Sequence, residues 1–194
     1  MSLVIIDYNA GNVQSVTYAL QRLGVEPVLS ADPEVIQKAD RVIFPGVGEA
    51  STAMRFLKER NLDSVIKSLK QPVFGVCLGQ QLLCAHSEEN NTDCLGIFDV
   101  RVMKFEPLLK VPQMGWNNLD NMIGPLFKGI EEESYVYYVH SYYAELSPYT
   151  IATTNYITEF SAAMHKDNFY ALQAHPEKSG KVGERILQNF LDIK

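Results

Sequence analysis

The chain has 194 residues, 46% hydrophobic and 21% charged, the profile of one soluble globular domain with a substantial core. Its 17 Lys and Arg against 23 Asp and Glu give a formal net charge of −6, and no basic run offers a track for phosphates, so no nucleic-acid partner is expected. No apolar stretch approaches the roughly 18 residues of a membrane span, Asp7 cuts short the opening apolar run that a signal peptide would need, and three cysteines without a pairing pattern suit a reducing compartment, by default the cytoplasm.

In chain order, Leu3 to Ile6 is a continuous apolar run, as in a strand buried on both faces of a parallel sheet. Asp7 to Asn12 reads as a loop, and Val13 to Leu23 as an amphipathic helix closed by Gly24. Val25 to Leu29 is a second strand, and Asp32-Pro33 reads as the N-cap and first position of a short helix. Arg41 to Phe44 is a third strand running into Pro45-Gly46-Val47-Gly48, after which Ala50 to Lys70 holds one or two helices. The alternation predicts a doubly wound α/β sheet with its sites at the carboxyl ends of the strands. From Ile97 the pattern turns to strands: Ile97 to Phe105, Ser134 to His140, Thr150 to Thr153, Ser161 to His165 and Phe169 to Gln173. These read as hairpins and an antiparallel addition that makes the sheet mixed. A helix from Ser179 to Leu191 closes the chain, with Ser179 or Gly180 near its N-cap, and no linker or repeat interrupts a single domain over residues 1–194.

The chemistry concentrates in two stretches. Gln71 to Val76 reads as a buried strand, and beyond Cys77 the apolar spacing of Leu78, Leu82, Leu83 and Ala85 becomes helical. The switch falls on the cysteine, with Gly75 and Gly79 two residues to either side, the thiol counterpart of the Gly-x-Ser-x-Gly nucleophile elbow. Such a turn presents the sulfur at the tip of the sheet beside helix N–H groups that favour thiolate. Near the other end, Pro176 biases His175 toward extended backbone, where positions i and i+2 point the same way. Glu177 then reaches the Nδ1 side of the imidazole and leaves Nε2 for Cys77, the arrangement of nucleophile, base and orienter.

Gly75-Val76-Cys77-Leu78-Gly79-Gln80-Gln81 and His175-Pro176-Glu177 together resemble the class I (triad) glutamine amidotransferases. Pro45 to Gly48, the opening Ile5 to Asn12, and Pro112-Gln113-Met114-Gly115-Trp116-Asn117 narrow the resemblance to a branch of that family, the glutaminase subunits that serve histidine biosynthesis in imidazole glycerol phosphate synthase. The resemblance implies a flavodoxin-like mixed sheet, hydrolysis of L-glutamine to glutamate and ammonia, and the triad Cys77, His175 and Glu177. It implies an oxyanion held by the backbone N–H of Leu78 and, after a peptide flip, of Val47. Gly46, Gly48, Gln81, Glu89, Ser141 and Tyr142 become substrate-binding positions, with Glu88 competing with its neighbour for the α-ammonium. Asn12, Trp116, Asn117 and Lys178 fall on the face toward a cyclase subunit with a (β/α)8 barrel; the Pro, Gly and two Asn around Trp116, the chain's single tryptophan, suit a loop more than a buried strand. That heterodimer partner uses the ammonia to make imidazole glycerol phosphate and aminoimidazole carboxamide ribotide. No metal and no cofactor is implied. Activity is expected to be very low alone and to rise with the partner, because Pro45 to Gly48 must first reorient. Only one helix follows Glu177 in this sequence, so the synthase chemistry is expected from another chain.

The remaining candidates read as structural. His140, His86 and His165 suit core or turn positions, Cys84 a small buried apolar site, and Cys94 an uninformative loop. The alternative functions are a paralogous triad glutaminase feeding another synthase, a cysteine peptidase or chaperone-like hydrolase on a similar sheet, and a binding module that kept the scaffold. Gln81, the Pro-Gly-Val-Gly loop and the distant His-Pro-Glu weigh against the hydrolase, and the intact triad against the binding module.

Overall fold

The computed structural model describes residues 1–8, 11 and 13–193. Its central sheet alternates with helices in the predicted order: β1 (Leu3–Ile6), α1 (Val13–Arg22), β2 (Val28–Ser30), α2 (Pro33–Lys38), β3 (Arg41–Phe44), α3 (Ala50–Glu59), α4 (Leu62–Ser68), β4 (Val73–Val76) and α5 (Leu78–Leu83). There follow β5 (His86–Ser87), β6 (Thr92–Asp93), β7 (Arg101–Lys104), β8 (Gln113–Leu119), β9 (Ser134–His140), β10 (Tyr142–Ala144), β11 (Thr150–Tyr156), β12 (Thr158–Lys166), β13 (Phe169–Leu172) and α6 (Gly180–Asp192).

Seven strands make the main sheet in the order β11-β12-β13-β4-β3-β1-β2. The run from β2 to β13 is parallel, and β12 and β11 extend it antiparallel. The apolar run of β1 divides as the pleat requires: Val4 and Ile6 pack into one cluster with α2 to α5, while Leu3 and Ile5 pack into the other with α1 and α6. Both faces are therefore core, and the carboxyl ends of β3, β4 and β13 are brought side by side. Two smaller assemblies flank this edge: a sheet in the order β10-β7-β5-β6, and the antiparallel hairpin β8-β9.

Local chemistry accounts for the boundaries. Asp32 accepts a hydrogen bond from the Glu34 N–H (2.8 Å) with Pro33 behind it, so α2 starts where the capping rule puts it. Asn61 lies in the left-handed region (φ 56°) and divides the Ala50-to-Lys70 segment into two helices. Ser179 precedes α6, but its hydroxyl donates to the His175 carbonyl (2.6 Å) and accepts from the Tyr137 N–H (2.9 Å) instead of capping the helix.

The structure corrects three sequence expectations. The second strand runs Val28–Ser30, not Val25 to Leu29, since Val25 bonds back to Leu20 as part of the α1 exit turn. Only Arg101–Lys104 of the Ile97-to-Phe105 segment is strand; Ile97 and Phe98 instead donate to the Leu83 carbonyl and pack the segment against the end of α5. Trp116, read as part of a loop, lies in β8, whose partner β9 supplies an unbroken register from Gln113↔His140 to Leu119↔Ser134. Its Pro, Gly and Asn neighbours misled because the strand is largely open to solvent on one face, where Met114 and Trp116 are exposed.

Candidate active site

Cys77 sits between β4 and α5 at φ 54°, ψ −111°, a conformation that costs a non-glycine residue about 1–3 kcal/mol and persists only when its surroundings impose it. The surroundings do impose it. The Cys77 N–H donates to the Leu172 carbonyl at the end of β13 (2.8 Å), and α5 lies directly across the ends of β3 and β4. A Cβ on Gly79 would collide with the Phe44 carbonyl, and one on Gly75 would come within 2.6 Å of Leu83. The two glycines are thus fixed by the close approach of helix to sheet.

His175 is 3% exposed and adopts φ −98°, ψ 94°, the extended backbone expected before Pro176. Its Nδ1 lies 2.8 Å from Glu177 Oε1, both side chains being buried. Its backbone N–H donates to the Tyr137 carbonyl on β9 (2.9 Å), which ties the turn to the hairpin. Burial by itself would push the imidazole toward neutrality. The charge and hydrogen bond of Cys77, and then those of Glu177, outweigh it and carry the His175 pKa up to about 10. The site therefore favours an imidazolium beside the sulfur.

A cavity of about 440 Å³ opens over Cys77. Val47, Gly48, Leu78, Gln81 and Glu89 line it together with Ser141, Tyr142, His140 and Lys178. Gly46 is not part of its lining; it backs a small void shared with His175 and Glu177. Glu88 and Glu89 are separated by their partners. Glu88 Oε2 accepts from the Lys104 N–H (2.7 Å), whereas Glu89 faces the cavity and accepts from the Ala50 N–H (2.7 Å). Burial raises the Glu89 pKa, the Ala50 N–H opposes it, and neighbouring Glu49 adds to it.

Pro45 to Gly48 is wired differently. The Gly46 carbonyl accepts the Leu78 N–H at 3.3 Å, so the donor beside the sulfur is engaged within the protein. The Tyr8 hydroxyl donates to the Pro45 carbonyl at 2.5 Å and lies where a Cβ of Gly46 would be. Burial first, and Cys77 second, push the Tyr8 phenol above its ordinary range, which keeps it a donor.

The sequence is similar to the description "Glutamine amidotransferase class-I" over residues 4–193. The chain belongs to the class-I glutamine amidotransferase family. It is 59% identical to imidazole glycerol phosphate synthase subunit HisH of Bacteroides thetaiotaomicron over 100% of both chains. It is 48% identical to the subunit of the same name from Escherichia coli K12, again over 100% of both. Among solved structures, one described as a glutamine amidotransferase superimposes with a TM-score of 0.76 at 18% identity, covering 97% of each chain, a likeness of fold.

On this amidotransferase scaffold, Cys77, His175, Glu177, Leu78, Val47, Gly48, Gln81, Glu89, Ser141 and Tyr142 come together around one cavity. Lys178, expected on the partner face, also reaches the cavity wall. Trp116 and Asn117 stand away from it on the β8-β9 hairpin, Trp116 edge-on to Tyr137 at 5.9 Å between ring centroids and Asn117 donating to the Asn155 carbonyl (3.0 Å). Asn12 lies outside the described residues.

Sequence reasoning passed over Gln173, Gln113 and Tyr8. The alternation that pairs His175 with Glu177 also puts Gln173 on the His175 side, a signal that would have found it. Nothing in the sequence marks Gln113 or Tyr8, because their partners are distant backbone and side-chain groups. His140, read as structural, is buried at the cavity wall. Its Nδ1 lies 2.7 Å from the Tyr142 carbonyl and its Nε2 2.8 Å from Gln113 Oε1. Burial pulls its pKa down to about 4, against the Tyr142 hydrogen bond and with help from the His175 charge. A neutral ring satisfies both contacts once the Gln113 amide turns its N–H toward Nε2. Of the other two cysteines, Cys84 is wholly buried with its thiol on the Gln80 carbonyl, and burial, reinforced by Asp93, pushes the Cys94 thiol up to about 12. Neither lines the cavity over Cys77.

Proposed function

We propose that the chain, acting as one unit over residues 1–194, is the glutaminase subunit of an imidazole glycerol phosphate synthase. The observation that carries this reading is the buried His175–Glu177 pair beside Cys77, at the floor of a cavity into which Gln81 and Glu89 also face. In this mechanism the Cys77 thiolate attacks the γ-carboxamide carbon of L-glutamine. The imidazolium of His175 gives its proton to the leaving nitrogen, ammonia departs, and a γ-glutamyl thioester remains on Sγ. Water then attacks the thioester, His175 takes its proton, and glutamate leaves with the thiolate restored. Glu177 holds the imidazole orientation through both halves.

The tetrahedral oxyanion needs the Leu78 N–H, which the Gly46 carbonyl holds at 3.3 Å. The Gly46 carbonyl and the Val47 N–H belong to one peptide unit. Turning that unit over withdraws an acceptor and supplies a donor in the same movement, and gives two donors worth several kcal/mol of barrier. The isolated chain is accordingly a poor glutaminase, and a partner that turns this peptide switches it on. The relatives' name, a subunit of imidazole glycerol phosphate synthase, supports a cyclase as that partner. We assign it a (β/α)8 barrel, docking over Trp116, Asn117 and Lys178 and receiving ammonia directly, in the cytoplasm.

The test is glutamate release from L-glutamine by the chain alone and with an imidazole glycerol phosphate synthase cyclase subunit and its ribonucleotide substrate. The reading requires negligible turnover alone and a large rise in the mixture, abolished by Cys77→Ala. Turnover indifferent to the cyclase would leave a triad glutaminase serving another synthase. No glutamine hydrolysis in either condition would overturn the glutaminase itself.

A further inference from the structure

Behind the cavity a chain of buried amides runs to the nucleophile. Gln81 Nε2 donates to the Tyr142 carbonyl (2.9 Å) and to Gln173 Oε1 (2.9 Å), and Gln173 Nε2 lies 3.7 Å from Cys77 Sγ. Gln173 is fully buried, and Gln81 is 4% exposed.

One backbone group sets the polarity of the whole chain. The Tyr142 carbonyl can only accept, so the Gln81 atom facing it must be the NH2. That same NH2 meets Gln173, so the Gln173 atom there must be its oxygen. The remaining Gln173 atom, the one facing Sγ, is then an N–H donor. Amide ambiguity, usually left to assignment, is removed at each step by the one before. Both Gln81 N–H bonds are consumed, so only its carbonyl oxygen is left for the cavity.

We infer that Gln173 is a positioning residue that fixes the Gln81 amide with its oxygen toward the substrate and directs an N–H at the Cys77 sulfur. The inference rests on the glutaminase reading for its substrate, but not for its effect on the sulfur. An acceptor-only Gln81 suits a ligand that brings donors, as the carboxamide and ammonium groups of glutamine do, and repels the carboxylate of glutamate if it enters the same place. A donor aimed at Sγ favours thiolate, alongside His175. Gln173 thus touches both the substrate-reading amide and the nucleophile.

The test uses Gln173→Met, which keeps length and apolar volume while removing both hydrogen bonds, and Gln173→Glu, which keeps the acceptor for Gln81 and loses the donor to sulfur. The first readout, on the chain itself, is the pH profile of Cys77 alkylation by iodoacetamide. Gln173→Met and Gln173→Glu should both move the acid limb to higher pH, slowing alkylation at neutral pH by about tenfold, the scale of one hydrogen bond to a charged group. The second, on the complex with the cyclase, is glutamine kinetics: KM should rise about tenfold in Gln173→Met and less in Gln173→Glu, which still orients Gln81. Should neither variant fold, the side-chain NH2 signals of Gln173 in the native chain supply the answer by NMR. They should shift when Cys77 is replaced by Ala, and unshifted signals would overturn the contact. Alkylation profiles and KM within twofold of wild type in folded variants would overturn the inference. If the wild-type complex itself turns over no glutamine, the glutaminase reading falls, while the alkylation profile still decides whether Gln173 acts on the sulfur.

Discussion

The two walls of the cavity are built to different degrees. On one wall, the elbow at Cys77 and the His175–Glu177 turn are buried, joined to β13 and β9 by backbone hydrogen bonds, and already in mutual contact. On the other, Pro45 to Gly48 leaves Val47 36% exposed, carries Gly48 at φ 108°, and spends the Leu78 N–H on its own carbonyl. In the proposed mechanism the nucleophile and its base are assembled in advance, and the electrostatic stabilisation of the transition state is withheld. A fold that separates these functions can be regulated by one peptide flip without disturbing the strained elbow, which depends on close packing and tolerates little movement.

Breaking the assembled wall should have the largest effect. Glu177→Gln leaves His175 its hydrogen-bonding neighbour but removes the charge that stabilises the imidazolium and its tautomer, and partner-activated glutamate release should fall by about 10³-fold, or roughly 4 kcal/mol. Next comes Gly79→Ala, whose methyl group meets the Phe44 carbonyl. It should cost about 3 kcal/mol of stability in chemical denaturation, since backbone and not a flexible side chain must yield.

The same wall carries a pH signature. The folded His175 pKa is raised from 6.5 to about 10, so folding takes up a proton. Its contribution to stability is complete below about pH 6.5 and disappears as the pH climbs through about 10. Melting temperature should fall across that window in the wild type. In Cys77→Ala, where the two largest raising causes are gone and only those of Glu177 remain against burial, the window should shrink. Against the loop wall the expected effect is smallest. Tyr8→Phe removes the hydroxyl that anchors the Pro45 carbonyl, a bond worth about 1 kcal/mol, and should raise partner-independent turnover a few-fold by freeing the loop. A fall would show that the anchor supports the active loop and not the resting one.

The parts legible in the sequence are those governed by neighbours along the chain. The elbow could be read because Gly75, Cys77 and Gly79 lie within one strand-to-helix turn, and His175 because Pro176 and Glu177 follow it directly. The β1-to-β4 alternation was legible because β1, β3 and β4 are apolar runs buried in the sheet, whereas β2, the exposed edge strand, was the one whose bounds were misread. Trp116 was misplaced because β8 owes its strand to pairing with β9, not to its own composition. Gln173, Gln113 and Tyr8 were missed for a related reason: each acts through a partner on another element, Gln81, His140 and Pro45 respectively. The Leu78–Gly46 contact belongs to the same class, since it joins residues from two strand ends that only the parallel register brings together.

The most direct test of a ready nucleophile beside a withheld oxyanion donor compares two rates on the same sample, with and without the cyclase subunit: Cys77 alkylation by iodoacetamide, and glutamate release from glutamine. Alkylation needs the thiolate and no oxyanion site. The account predicts rapid alkylation of the isolated chain, changed by the partner less than about threefold, while glutamate release rises by about two orders of magnitude or more, the scale of one oxyanion donor. Alkylation that rises in parallel with turnover would contradict it, and would mean that the partner assembles the nucleophile and not the loop.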